Sequence, residues 1–210
     1  MRAARWLIAV AIAMAICWRF PLFHVVALKT AAAEKTAATF DPTEYAEAFW
    51  TNQLVPSLTK AVKAETLLPA IQTDATMAKT HYSRSVGMSE SYFYFLSGTG
   101  RVMAVSDDEV SLAINNSSTN AEISLQTGLV FGNALRDGTG LLNVNDYPNS
   151  QDFNGISEAL NHIVETRVLP KLHDQAKVGT KIYFVGCAEV DDESSDLKPL
   201  KVIPIKTENK

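Results

Sequence analysis

Tyr92-Phe93-Tyr94-Phe95-Leu96-Ser97-Gly98-Thr99-Gly100-Arg101-Val102-Met103-Ala104-Val105 marks where the chain leaves helical spacing for a period of two. Its aromatic and apolar residues predict a strand over 92–96, a turn at Ser97–Gly100 and a return strand over 101–105. Ser106-Asp107-Asp108-Glu109 predicts a second turn, after which Val110, Leu112 and Ile114 alternate with polar residues. Asn115–Ser118 turns the chain again, and Ala121-Glu122-Ile123-Ser124-Leu125-Gln126 alternates as a further strand. Short connections between such runs make a β-meander, and the alternation implies one buried and one wetter face.

Working outward, Gly128–Asn149 is a Gly/Asn/Asp-rich stretch. A helix follows over about 155–175, with Ile156, Leu160, Ile163, Val164, Val168 and Leu172 on one face and Pro170 inside it. Two strands close the chain, Lys181–Val190 and about Leu200–Lys206, joined by the acidic turn Asp191–Asp196; the tail Thr207–Lys210 is expected to be disordered. Upstream, Asp41-Pro42 starts a helix carrying Tyr45, Phe49 and Trp50, and Pro56 breaks or kinks it. A second helix runs roughly from Glu65 to Tyr82 with Leu67, Leu68, Ile71, Ala75 and Ala78 in one stripe. Five or six strands with a helix inserted before the last pair predict a small, partly open, OB-like barrel. The class is α+β. The predicted organisation is a leader at 1–28, a linker at 29–39, a helical subdomain at 40–88 and the OB-like domain at 89–210.

The leader has Arg2 and Arg5 ahead of an apolar run, and no acidic residue precedes Glu34. That is the pattern of an export signal. The run Trp6–Cys17 has 12 residues, whereas a spanning helix needs about 20. Extended through Arg19 and His24 to Leu28 it reaches 23 residues. Three readings stay open: a lipoprotein signal with the lipid on Cys17, an uncleaved anchor, or cleavage near Ala31-Ala32-Ala33. For the first, Ile16 stands where the lipidation box has a small residue. All three put residues 30–210 on the far side of the membrane, since Arg2 and Arg5 stay in the cytoplasm.

Residues 30–210 hold 15 basic and 23 acidic residues, a net charge of −8. That balance opposes a broad phosphate-binding surface and a nucleic-acid partner. Apart from Cys17, Cys187 is the one cysteine, so the exported part makes no internal disulfide. Cys187 ends an apolar strand pattern and is expected to be buried.

Candidate chemistry concentrates in Thr127-Gly128-Leu129-Val130-Phe131-Gly132-Asn133-Ala134-Leu135-Arg136-Asp137-Gly138. Asn133, Arg136 and Asp137 are the candidate ligand-binding residues: a guanidinium holds a carboxylate or phosphate by two parallel hydrogen bonds, and an amide reads a sugar hydroxyl. The structural alternative is that Gly132 and Gly138 allow unusual dihedrals, Asp137 pairs with Arg136 and Asn133 satisfies loop backbone. Asn145–Phe153 alternates oxygens but lacks the spacing of a calcium loop. No phosphate-binding loop, dinucleotide fingerprint or nucleophile elbow is present, and no catalytic residue, metal or cofactor is assigned.

Phe20-Pro21-Leu22-Phe23-His24-Val25-Val26, Phe40-Asp41-Pro42, Phe49-Trp50, Val55-Pro56, Thr127-Gly128 and Gly132-Asn133-Ala134-Leu135-Arg136-Asp137 resemble a family of predicted bacterial periplasmic lipoproteins, domain of unknown function twenty-two ninety-one. The resemblance covers nearly the whole chain. It implies an export-anchored protein with a helical subdomain and an OB-like domain, encoded beside sugar ABC transporters, and it carries over no catalytic residue. The expectation is a non-enzymatic, membrane-tethered periplasmic accessory that binds a solute or partner, with a sugar ABC transporter or its binding protein as the partner. The competing expectations are an enzyme on envelope carbohydrate, with Asp137 and Asp146 as its carboxylates, and a purely structural envelope protein.

Overall fold

One strand of 14 residues, β3 (Tyr92–Val105), organises the molecule. The computed structural model describes residues 40–87, 90–115, 117–147 and 149–210; the readings made for the leader, for Cys17 and for the linker lie outside these. No turn forms at Ser97–Gly100, where one was expected. The two glycines are there because other chain segments come too close for a side chain. A Cβ on Gly98 would lie 2.9 Å from the Ala64 Cβ, and one on Gly100 would lie 2.8 Å from the Leu112 Cβ. Gly in a strand interior commonly marks such an approach.

The remaining strands wrap around β3. Along Tyr92–Arg101 it pairs antiparallel with β6 (Lys181–Val190). From Arg101 onward it pairs on its other edge with β4 (Glu109–Ala113), with a bulge between Val102 and Ala104. β4 pairs with β5 (Ile123–Gln126). β5 runs parallel to β7 (Leu200–Asn209) over a seam of only Ile123–Leu125, and β7 returns antiparallel to β6. The pairing circuit β3-β4-β5-β7-β6-β3, with its short seam and a helix before the last two strands, is an OB-like, partly open barrel. Two short strands, β1 (Val62–Lys63) and β2 (Ser83–Ser85), occupy the edge of β3 before β4 begins. Both belong to segment 40–88, and Asp41–Lys210 cluster as one unit.

The helices differ from expectation where polar or proline residues intervene. α1 (Pro42–Phe49) is capped by Asp41, whose carboxylate accepts the Thr43 N–H at 2.8 Å. Pro56 does not end it. Trp50–Leu54 widens into a π turn, with the Val55 N–H reaching the Trp50 carbonyl, before α2 (Val55–Ser57). The wider turn accommodates a proline that has no N–H and clashes with the carbonyl four residues back. The expected single helix from Glu65 is two, α3 (Ala64–Thr73) and α4 (Ala75–Tyr82). Asp74 separates them in extended conformation, φ −157°, and caps α4 through the Met77 N–H at 3.0 Å.

After β5 comes a single helical turn, α5 (Ala134–Asp137). The long helix starts earlier than expected, as α6 (Ser150–Arg167), because Asn149 caps it by accepting the Asp152 N–H. It breaks at Val168, and α7 (Leu169–Gln175) carries Pro170 in its first turn. The acidic turn holds α8 (Glu193–Asp196). The tail expected to be disordered is strand: β7 continues to Asn209, and the Lys210 N–H bonds the Lys181 carbonyl.

The core fills the barrel with Tyr94, Leu96, Val102, Leu112, Ile123, Leu125, Ile182, Phe184 and Val202, all fully buried, and extends to Leu67, Leu68 and Ile71 of α3. α1 packs on α6. Gly155 permits this approach, since a Cβ there would meet Pro42 at 2.7 Å, and Arg167 pairs with Glu47 across the same contact. Among the described residues no helix is long and apolar enough to cross a membrane.

Candidate functional site

Segment Gly128–Gly138 is laid over β6 and α6, and two of its glycines, Gly132 and Gly138, make it fit. Gly132 has φ +84°, and a Cβ on it would lie 2.6 Å from the Glu189 carboxylate of β6. Gly138 has an ordinary helical φ; its reason is room, since a Cβ would meet the Cys187 Sγ at 2.7 Å. Cys187 is fully buried and burial pushes its thiol pKa far up, which makes it an inert packing residue. Glu189 accepts the Asn133 N–H at 2.9 Å. Its pKa is raised, chiefly by burial, with the Asp191 and Asp137 carboxylates adding; the Asn133 N–H and the Arg136 charge act the other way.

Arg136 and Asp137 turn inward, being 5% and 3% exposed. Arg136 forks onto Asp137 with Nε–Oδ1 and Nη2–Oδ2 both at 2.7 Å. Nη1 donates to the Phe153 carbonyl at 3.2 Å and to the Asn154 side chain at 3.1 Å. The guanidinium lies 3.8 Å above the Phe153 ring. Four of its five N–H donors are taken up by the protein, and the pair clamps α5 to the start of α6. Of the three candidate residues, Asn133 lines a cavity.

That cavity is a groove of about 580 Å³ between Val130–Asn133 and α6. A polar stripe of α6 holds the loop. Ser157 donates to the Asn133 Oδ1 at 3.0 Å, Asn161 donates to the Gly132 carbonyl at 3.2 Å, and Glu165 accepts the Val130 N–H at 2.9 Å. These residues recur every four positions, so one face of the helix presents them in line. The reading from sequence missed them. The signal was this four-residue polar spacing beside the apolar face Ile156, Leu160 and Val164. Asn161 is 8% exposed, yet its Oδ1 has no partner among the described residues. Glu158 and His162 line the same groove, and on the loop Phe131 is 73% exposed.

Asp146 sits exposed in a short 3-10 turn, while Asp137 is buried against Arg136. Asn143 and Asn149 of the oxygen-rich stretch cap backbone N–H groups. Among the described residues, no group of three or more His, Cys, Asp or Glu converges as a metal set.

The fold has a solved counterpart. The crystal structure of an OB-fold protein from Thermotoga maritima superposes with a TM-score of 0.73 at 24% identity, over 82% of this chain and all of that one. At that identity the likeness concerns the fold. No curated protein matches the chain. The family described as "Predicted periplasmic lipoprotein (DUF2291)" matches residues 7–208, and the chain, with its OB-like barrel, belongs to that family.

Proposed function

We propose that this membrane-anchored periplasmic protein is a non-enzymatic accessory that takes a polyhydroxylated solute, of the sugar class, in the groove between Val130–Asn133 and α6. The observation that carries this reading is Asn161 in the wall of that groove, whose buried Oδ1 has no partner among the described residues. A buried acceptor left unpaired costs about 1–3 kcal/mol, and a solute hydroxyl would satisfy it. Asn133 and Glu158 add polar contacts, and Phe131 offers an apolar ring for the face of a pyranose. The proposed partner is a sugar ABC transporter or its binding protein. Asp137, proposed as one carboxylate of a carbohydrate-acting enzyme, is occupied by Arg136, which favours binding over hydrolysis.

The test is titration of the detergent-extracted full chain with glucose, xylose, ribose and maltose. Binding of at least one is expected, weakened at least about tenfold by Asn161→Leu or Phe131→Ala. Phe131→Ala changes an exposed residue and leaves folding intact. Absence of binding to every saccharide overturns the reading. A second reading rests on Leu129 and Phe131, which are 76% and 73% exposed on one loop. Two exposed apolar side chains on one loop, either side of the buried Val130, suit contact with a protein. Pull-down that recovers a transporter subunit, lost in the double variant Leu129→Ser with Phe131→Ser, supports it.

A further inference from the structure

A second cavity, of about 430 Å³, lies at the other end of α5, lined by residues of Ser57–Lys60, His81–Arg84 and Gly138–Leu141. None of its lining residues is acidic, whereas Lys60, His81 and Arg84 all face it. This is unusual for a protein whose exported part has a net charge of −8. The salt bridges and hydrogen bonds among the described residues include none from Lys60, His81 or Arg84. The Tyr82 hydroxyl likewise makes no hydrogen bond to a described residue, and the Thr139 hydroxyl accepts the Leu141 N–H while donating to no described residue. The cavity therefore gathers side-chain donors from three chain segments with no carboxylate to meet them.

Gly140 makes the arrangement possible. It has φ +65°, and a Cβ on it would fall 2.1 Å from the Arg84 Cζ, so the guanidinium lies directly against bare backbone. The loop thus lies against Arg84, whose N–H groups have no partner among the described residues. Cations held together without a counter-charge repel one another, and an anion removes that cost. A planar fork, an ammonium and hydroxyl donors converging from different directions match an oxyanion with several oxygens better than a single carboxylate. The volume exceeds that of the ion alone, and Phe95 supplies apolar wall for an organic remainder.

We propose that this cavity binds a phosphate-bearing anion, with Arg84 and Lys60 as its principal ligands. The site is separate from the saccharide groove and stands whether or not that groove binds sugar. The phosphate can belong to a soluble monoester or to the diester of a lipid head group. The detergent-extracted full chain is titrated calorimetrically with inorganic phosphate, glycerol 3-phosphate and glycerophosphoglycerol. Binding that weakens about tenfold in Arg84→Gln and further in Arg84→Gln with Lys60→Gln is expected, while Lys171→Gln on α7 leaves it unchanged. Both altered residues are exposed, so the ligand-free melting temperature stays at the parent value and separates loss of binding from loss of fold. Preference for the monoester assigns a soluble phosphate, and preference for the diester assigns a head group. No binding of any of the three, or binding that persists unaltered in the double variant, overturns the proposal.

Discussion

Arg136 and Asp137 each supply the other's missing water. Removing one partner leaves an uncompensated charge in the interior, so Arg136→Ala is expected to cost about 3–5 kcal/mol, read as a fall in the urea midpoint. Replacing both, as Arg136→Met with Asp137→Leu, is expected to recover most of that loss, because an apolar pair needs no counter-charge. Glu189 has the opposite problem: burial foremost, then Asp191 and Asp137, raises its pKa above the ordinary 4.5. A carboxyl with a raised folded pKa contributes stability that is full below its unfolded pKa and is lost as pH rises through the folded value. Glu189→Gln is therefore expected to raise the melting temperature near neutral pH, with the gain vanishing below pH 4.5. A gain that persists in acid would exclude burial of the charged form as its source. The close approach of another element to the Gly132-Asn133 backbone was legible, because a Gly-Asn loop advertises it. The inward turn of Arg136 was not legible, since Phe153 and Asn154, which receive it, lie on another element.

Elements were misread where a distant neighbour decides them and where a local cap was hidden by the pattern around it. Ser97-Gly98-Thr99-Gly100 has the composition of a turn, yet β3 runs straight through it because Ala64 and Leu112 approach there. Gly100→Ala is accordingly expected to destabilise by about 1–3 kcal/mol through overpacking against Leu112, measured by denaturant unfolding. The split between α3 and α4 has a local cause, the Asp74 cap, which the apolar stripe across it concealed. Asp74→Ala is expected to cost about 1 kcal/mol and to loosen α4 first, seen as faster amide exchange at Met77. The stripe Ser157, Asn161 and Glu165 was passed over for a related reason. Polar positions flanking an apolar face look solvated until a loop closes over them.

For the whole molecule, family membership and an anionic exported part agree on a globule held at the periplasmic side of the membrane. Intact mass of the membrane-extracted protein is expected to show a chain beginning at a lipid-bearing Cys17. A full-length mass would instead mean a retained anchor, and a start near Ala33 ordinary cleavage. Composition, the switch from helical to alternating period and the basic start determined the α+β class, the OB-like barrel with its inserted helix and the export, because each depends on residues close together in sequence. Tertiary structure alone decided which glycines turn and which make room, that Arg136 faces inward, and that Asn161 keeps an empty acceptor beside a loop 29 residues away. These outcomes depend on which surfaces meet once the barrel closes, and no local period encodes that meeting.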